Sequence, residues 1–114
     1  MSEQTKPTLD EIQKEVFQNK VNKGFNTTNV EKEFLYIYGE VTEAWDAWRK
    51  KKDDLGGELA DVAIYLLGLS EILGFSLHEE ITKKIAINKE REYETKDGVL
   101  RKKINKARNH KGGK

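Results

Sequence analysis

The chain has 114 residues, 36% of them hydrophobic and 36% charged, which is enough for one domain with a single core. It contains no cysteine, so disulfide frameworks and thiolate metal sites are excluded. The N-terminus lacks the apolar core of a secretory signal, and the longest apolar run, residues 62–69, is too short to cross a bilayer. These features predict a cytoplasmic protein without membrane segments.

Charge is distributed unevenly along the chain. Residues 1–95 carry 13 Lys and Arg against 19 Asp and Glu, a balance of −6, whereas residues 96–114 carry 8 against 1, a balance of +7. We therefore divide the sequence into one domain, residues 1–95, and a basic C-terminal tail, residues 96–114. A tail of this composition is typical either of a solvated end, which we favour, or of a nucleic-acid-binding segment.

Four segments have the apolar spacing of helices, and no segment alternates as a half-buried strand would. They span about residues 9–23, 28–49, 54–73 and 76–93. Three of them open with a capping box, in which Thr or Ser is followed by Glu three residues later. The boxes are Thr8 with Glu11, Thr28 with Glu31, and Ser76 with Glu79. The pattern predicts an all-α fold, a four-helix bundle, followed by a turn and a short extended piece within residues 96–103.

The third segment is apolar almost all the way round. Between Leu59 and Leu73 only Asp61, Ser70 and Glu71 interrupt the apolar residues. A helix that is apolar on every side is expected to be buried on every side. Because a chain of this length barely covers such a helix, the pattern favours a homo-oligomer.

Two pairs of carboxylates, on the second and third helices, have a spacing that places each pair on one helix face. The pairs are Glu40 with Glu43, and Glu58 with Asp61. The first pair shares an arc of its helix with Ala44 and Ala47, whose small side chains allow another helix to approach. The second pair lies on the helix that has no polar face. We therefore expect the four carboxylates to meet between the two helices.

The position of the turn between the second and third helices determines whether the two carboxylate pairs lie at the same height along these helices. If the connection centres near Lys51, Glu43 lies eight residues before it and Glu58 seven after it. If it falls at Gly56 and Gly57, the heights differ by more than ~10 Å at a rise of ~1.5 Å per residue. We place the turn near Lys51, although paired glycines ordinarily indicate a turn.

Carboxylates buried together need either protons or cations to offset their charge. Oxygen ligands without Cys or convergent His suit a hard ion, Mg²⁺ first and Mn²⁺ as its substitute. On the fourth helix, Lys84, Asn88 and Arg91 are spaced i, i+4, i+7. Cations facing a magnesium-binding acidic cluster suit a polyphosphate, whereas ordinary surface charge is the alternative explanation of this stripe.

The three motifs occur in an order that resembles a known family. They are Gly39-Glu40-Val41-Thr42-Glu43, Glu58-Leu59-Ala60-Asp61, and the segment KIAINKEREY at residues 84–93. Over about residues 30–98 the chain is similar to the MazG-like all-α nucleoside triphosphate pyrophosphohydrolases. That family has Glu-Glu-x-x-Glu, Glu-x-x-Asp and Lys-x-x-x-Asn-x-x-Arg elements. Gly39 replaces the first Glu, as in the dCTP-pyrophosphatase-like branch, and this leaves one carboxylate fewer.

The resemblance implies a four-helix core assembled as a dimer or tetramer, with a magnesium site that serves catalysis. It implies hydrolysis of nucleoside triphosphates, deoxynucleotides in particular, to monophosphate and pyrophosphate. Glu40, Glu43, Glu58 and Asp61 would be the catalytic metal ligands, and Lys84, Asn88 and Arg91 would bind the substrate phosphates. A phosphoribosyl-ATP pyrophosphohydrolase, a helical nucleic-acid-binding protein acting through the basic tail, and a non-catalytic scaffold with structural ions are the alternatives.

Other aromatic and histidine residues have weaker claims to a role. Trp45 and Trp48 are expected in the core or at a subunit interface rather than stacked on a base, because they belong to an apolar stripe of the second helix. Phe17, Phe25 and Tyr65 are candidate pocket residues. His78 and His110 have no convergent partner in the sequence, so we expect no metal role for them.

Overall fold

The computed structural model describes residues 5–91, 93–96 and 98–102. Its elements in chain order are α1 (Leu9–Lys23), α2 (Val30–Arg49), α3 (Leu55–Leu73), α4 (Leu77–Glu90), β1 (Tyr93–Lys96) and β2 (Val99–Lys102). Four helices make up most of the described chain, which confirms the all-α class. The two short strands pair antiparallel, with Gly98 at a φ of 77° in the turn between them. The expected extended piece is thus β2, whereas β1 was not predicted.

The chain divides into two compact units, residues 1–80 and 81–114. In the first unit, α3 packs against both α1 and α2. The second unit holds most of α4 together with the hairpin. The charge-based boundary between residues 95 and 96 stays a prediction, and residues 103–114 of the basic tail lie outside the described part of the chain.

The start of α1 is the predicted capping box. Glu11 donates its backbone N–H to Thr8 Oγ1 over 3.1 Å, and the Glu11 side chain accepts from the Thr8 N–H over 2.8 Å. Gly24, at a φ of 74°, ends the helix in the left-handed conformation that glycine adopts without strain.

The capping box predicted for α2 at Thr28 and Glu31 is wrong. Asn29 is the N-cap, and its side chain accepts from the Lys32 N–H over 3.0 Å. Asn26 explains the shift, because its side chain exchanges two hydrogen bonds with the Asn29 backbone and organises the loop before the helix. An Asx side chain that bonds to nearby backbone competes directly with other caps.

The connection between α2 and α3 lies where it was predicted. Helix α2 ends at Arg49, Lys51 has a positive φ of 57°, and α3 begins at Leu55. Gly56 and Gly57 belong to the first turn of α3. The two helices are therefore antiparallel neighbours with matching heights on either side of this turn.

Helix α4 is shorter than predicted. Ser76 Oγ accepts from the Glu79 N–H over 3.1 Å, as expected of a cap, but the helix ends at Glu90 rather than at Tyr93. Tyr93 instead begins β1, where it pairs with Lys102. Pairing between strands outweighs the local helical pattern of these last residues.

The core of the first unit is small. Ala44 and Ala47 of α2 and Leu67 and Leu69 of α3 are the buried hydrophobic residues of its described part. The prediction that α3 is buried on every side is wrong for a single chain, since Leu59 remains 56% exposed. Within this unit α1 and α2 cover only part of the circumference of α3.

An apolar stripe on α2 also remains exposed. Its members are Phe34, Tyr38, Val41, Trp45 and Trp48, each at least 47% exposed. The Trp45 and Trp48 rings stack on each other, with centroids 5.5 Å apart. These tryptophans are not core residues of the chain, and their place at a subunit interface stays a prediction.

Among the described residues, no single helix is both long and apolar enough to span a membrane. Taken together across their bend, α3 and α4 reach that threshold by length and composition alone.

Candidate metal centre

The carboxylates of α2 and α3 converge. One oxygen each of Glu40, Glu43 and Glu58 lies within 4.8 Å of the other two, although the residues come from two helices. The turn at Lys51 and the antiparallel packing of the helices bring them to one level. The structure thus brings together three of the four predicted ligands.

Glu58 is the most informative member of this cluster. Its Oε1 atom is buried and accepts no hydrogen bond from the described part of the chain. A buried carboxylate oxygen without a donor is costly, unless a cation takes the place of the donor. Three carboxylates that supply only oxygen atoms are a donor set that fits a hard divalent cation.

Asp61 stands at the edge of the cluster. It is exposed and lies one helical turn after Glu58 on α3. Burial raises the pKa of Glu40, and the charges of Glu43, Asp61 and Glu58 raise it further. Asp61 therefore shares an electrostatic field with the other three carboxylates. A bound cation would relieve the mutual repulsion of this group.

The predicted phosphate-binding stripe belongs to the second unit. Lys84 and Asn88 lie exposed on α4, whereas Arg91 follows the end of the helix. The Arg91 backbone N–H still donates to the Asn88 carbonyl over 3.2 Å, so the chain continues in a turn. The phosphate-binding role of these three residues stays a prediction.

Two tyrosines lie one helical turn from the acidic residues, on both helices. Tyr36 precedes Glu40 by four residues on α2, and Tyr65 follows Asp61 by four on α3. Their ring centroids are 5.8 Å apart, with the rings tilted by 58°. They line a cavity of about 450 Å³ that is completed by Lys20, Gly24, Phe25, Asn26, Lys32 and Glu33. This volume falls within the range of small-molecule sites.

A buried ion pair forms part of the wall of this cavity. Lys20 Nζ donates to Glu33 Oε1 over 2.9 Å, and the two side chains are 10% and 0% exposed. Asn26 Nδ2 donates to the other oxygen, Glu33 Oε2, over 2.8 Å. The Lys20 ammonium also lies 5.4 Å from the centroid of the Tyr65 ring. Burial raises the pKa of Tyr65, and the charges of Glu40 and Glu33 add to this effect.

Sequence reasoning missed this ion pair. One signal was present, because Glu33 falls on the same arc of α2 as Tyr36, Glu40, Ala44 and Ala47, which faces the rest of the unit. Nothing in the sequence paired it with Lys20 on another helix. Of the candidate pocket residues, Phe25 and Tyr65 do line the cavity.

Phe17 and His78 are not among the residues that line this cavity. Phe17 is half-buried on α1, and His78 lies in the first turn of α4, as predicted. His110 falls outside the described residues.

No family model, curated protein or solved structure matches this chain.

Proposed function

We propose that the protein is a magnesium-dependent pyrophosphohydrolase that converts nucleoside triphosphates, deoxynucleotides in particular, to monophosphate and pyrophosphate. The observation that carries the proposal is the convergence of Glu40, Glu43 and Glu58, with one buried Glu58 oxygen lacking a donor among the described residues. The resemblance of the three sequence motifs to the MazG-like family supplies the reaction.

In this proposal Glu40, Glu43, Glu58 and Asp61 hold Mg²⁺, or Mn²⁺ in its place. When bound, magnesium supplies Lewis acidity that neutralises phosphate charge and lowers the pKa of water in the site. Glu40 and Glu58 are half-buried side chains of two packed helices, and their carboxylate oxygens already lie close enough to share one cation.

The reaction is an in-line displacement at phosphorus. A water oxygen forms a bond to the α-phosphorus, and the bond from that phosphorus to the α,β-bridging oxygen breaks. Pyrophosphate leaves with the bonding electron pair, and one glutamate of the cluster orients the water and accepts its proton. Lys84, Asn88 and Arg91 bind the phosphates as cations and an amide donor.

We also propose that the protein is a cytoplasmic homo-oligomer, a dimer or a tetramer. The exposed apolar stripe on α2, with Trp48 60% exposed, supports the assembly. Contiguous exposed apolar surface typically indicates an interaction site.

The decisive experiment is a panel of canonical and modified nucleoside triphosphates, with phosphoribosyl-ATP included, assayed for pyrophosphate release. We expect release from at least one of them in Mg²⁺, at a rate abolished by EDTA and restored by Mn²⁺. Intact nucleotides throughout the panel would refute the hydrolase. If salt-sensitive nucleic-acid binding that needs residues 99–114 accompanied that result, the alternative function would replace it.

A further inference from the structure

The Lys20–Glu33 pair stands where two cavities of the first unit meet. The cavity of about 450 Å³ beside Tyr36 shares Lys20, Phe25 and Tyr65 with a second cavity of about 370 Å³. The second is lined mainly by apolar side chains of α1 and α3, including Ile12, Val16 and Ile64. Lys20 is thus a cationic donor that both cavities share, beside apolar and aromatic side chains and the polar residues Glu15, Asn19, Asn26 and Lys32.

A contribution to folding stability does not by itself explain the presence of the Lys20–Glu33 ion pair. Removing two charges from water costs about as much as their attraction returns, so buried ion pairs are often no better than apolar side chains of similar volume. Gly68 of α3 lies against the Lys20 stem, where an added Cβ would come within 3.2 Å of Lys20 Cδ. The absence of a side chain at Gly68 leaves room for the lysine to pass α3 and reach Glu33.

Glu33 and Lys20 differ in solvent exposure, and this difference assigns them different roles. Glu33 is fully enclosed and is held by both Lys20 and Asn26, so it faces no ligand directly. The Lys20 side chain keeps 10% of its surface exposed, and its ammonium has three N–H donors, of which Glu33 Oε1 takes one. Glu33 is therefore a positioning residue that holds the Lys20 ammonium in place through a hydrogen bond.

The aromatic rings around Lys20 indicate the shape of a ligand that this cavity would bind. Tyr65 lies beneath the Lys20 ammonium and packs beside Tyr36, and Phe25 lines the same cavity. Aromatic walls favour a flat ring, since ring faces pack well on one another. The tyrosines stand one turn, about 6 Å, along the helices from the acidic cluster.

We propose that Lys20 recognises the base of the bound nucleotide, donating a hydrogen bond to a carbonyl oxygen or ring nitrogen on its edge while the ring packs against Tyr65. The proposal rests on the proposed function, because it assigns the base to this cavity and the phosphates to the acidic cluster. It makes Lys20 a determinant of base preference.

The test separates base binding from hydrolysis. The four unphosphorylated deoxynucleosides are titrated into the protein in EDTA, and binding is followed by NMR shifts of the Tyr65 and Phe25 ring protons. We expect at least one nucleoside to bind in this cavity. Its affinity should fall by about tenfold or more in the double variant Lys20→Met, Glu33→Gln, because a hydrogen bond from a charged donor is lost.

The double variant removes both charges together, so no lone buried charge remains, and the amide oxygen introduced by Glu33→Gln can still accept from Asn26. Its matched control is Lys14→Met with Glu71→Gln, which removes an ion pair between α1 and α3, 3.6 Å apart, on a more exposed part of α1. The control should bind the nucleoside as the wild type does. If the double variant does not fold, Lys20→Arg keeps the charge but moves the donors, and it should change the order of affinities among the four bases.

The outcomes distinguish this proposal from the proposed function. Nucleoside binding in the cavity without pyrophosphate release would sustain base recognition and refute the hydrolase. Triphosphate hydrolysis with the same base preference in wild type and in the folded Lys20 variants would refute base recognition alone. Absence of any nucleoside-dependent shift at Tyr65 or Phe25 would also refute it.

Discussion

Glu40 on α2 and Glu58 on α3 have carboxylate oxygens within 4.8 Å of each other, with Glu43 as the third member of the group. The short connection around Lys51 sets this relationship, because it makes the helices antiparallel neighbours of matching height. Like charges held this close are unfavourable unless a cation or protons offset them. Variants of Glu58 and Glu40 test whether a cation or protons offset this repulsion.

Glu58→Gln should abolish magnesium-dependent pyrophosphate release, by at least about 100-fold, since changes even outside the ligand shell of a metal cost about 10–100-fold. The metal-free variant should be no less stable than the wild type, because it loses a buried oxygen's unfavourable charge. Glu31→Gln, at an exposed position in the first turn of α2, is the control and should retain activity. Full activity of Glu58→Gln would remove the metal centre from the mechanism.

The metal-free protein should lose stability as the pH rises. Burial and three neighbouring carboxylates raise the pKa of Glu40 in the folded state, so the fold binds a proton there more tightly than the unfolded chain does. The corresponding stability is present below the unfolded pKa of glutamate and is lost as the pH rises through the folded pKa. Urea unfolding in EDTA across this range should show the decline, and Glu40→Gln should flatten it. An unchanged slope in Glu40→Gln would contradict the assignment.

The Lys20–Glu33 pair should behave as a coupled unit in unfolding experiments. Either Lys20→Met or Glu33→Gln alone disturbs the charge balance of a buried site, and loss of one partner costs about 3–5 kcal/mol when the other remains charged. The double variant should cost clearly less than the sum of the two, as measured by a double-mutant cycle in urea. Additive losses would mean that the two residues act independently.

Two glycines should respond to alanine in opposite directions. Gly39 lies inside α2, and a Cβ there would meet no atom within 4 Å, so Gly39→Ala should stabilise the protein by roughly 0.5–1 kcal/mol. Gly74 ends α3 at a φ of 87°, a conformation that costs an L-residue roughly 1–2 kcal/mol, so Gly74→Ala should destabilise it. Thermal unfolding measures both, and a loss of stability in Gly39→Ala would reveal a steric role for that position.

Trp48→Glu should weaken self-association. Trp48 is 60% exposed and stacks on Trp45 in the apolar stripe of α2, so a charge there would have to be buried in any interface that covers the stripe. Analytical ultracentrifugation should show a shift toward monomer relative to the wild type. Lys23→Glu, a charge change on α1, should not shift it. A wild type that sediments as a monomer would end the proposal of a homo-oligomer.

Local chemistry explains what could be predicted. The α1 capping box at Thr8, the glycine stops at Gly24 and Gly74, and the turn near Lys51 depend on residues a few positions apart. The pairing of the two carboxylate groups followed from helical spacing and from the position of that turn. The N-cap of α2 is nevertheless Asn29 and not the predicted Thr28, because the Asn26 side chain forms two hydrogen bonds with the Asn29 backbone.

The sequence by itself determined the four helices, most of their ends, and the faces on which the carboxylates lie, because helical spacing and capping act over one or two turns. Only the tertiary structure decided which faces are covered. It left Leu59 and Trp48 exposed, and it enclosed Glu33 against Lys20 from a different helix. Burial and long-range pairing depend on how whole helices pack against one another, and no short stretch of sequence encodes that packing.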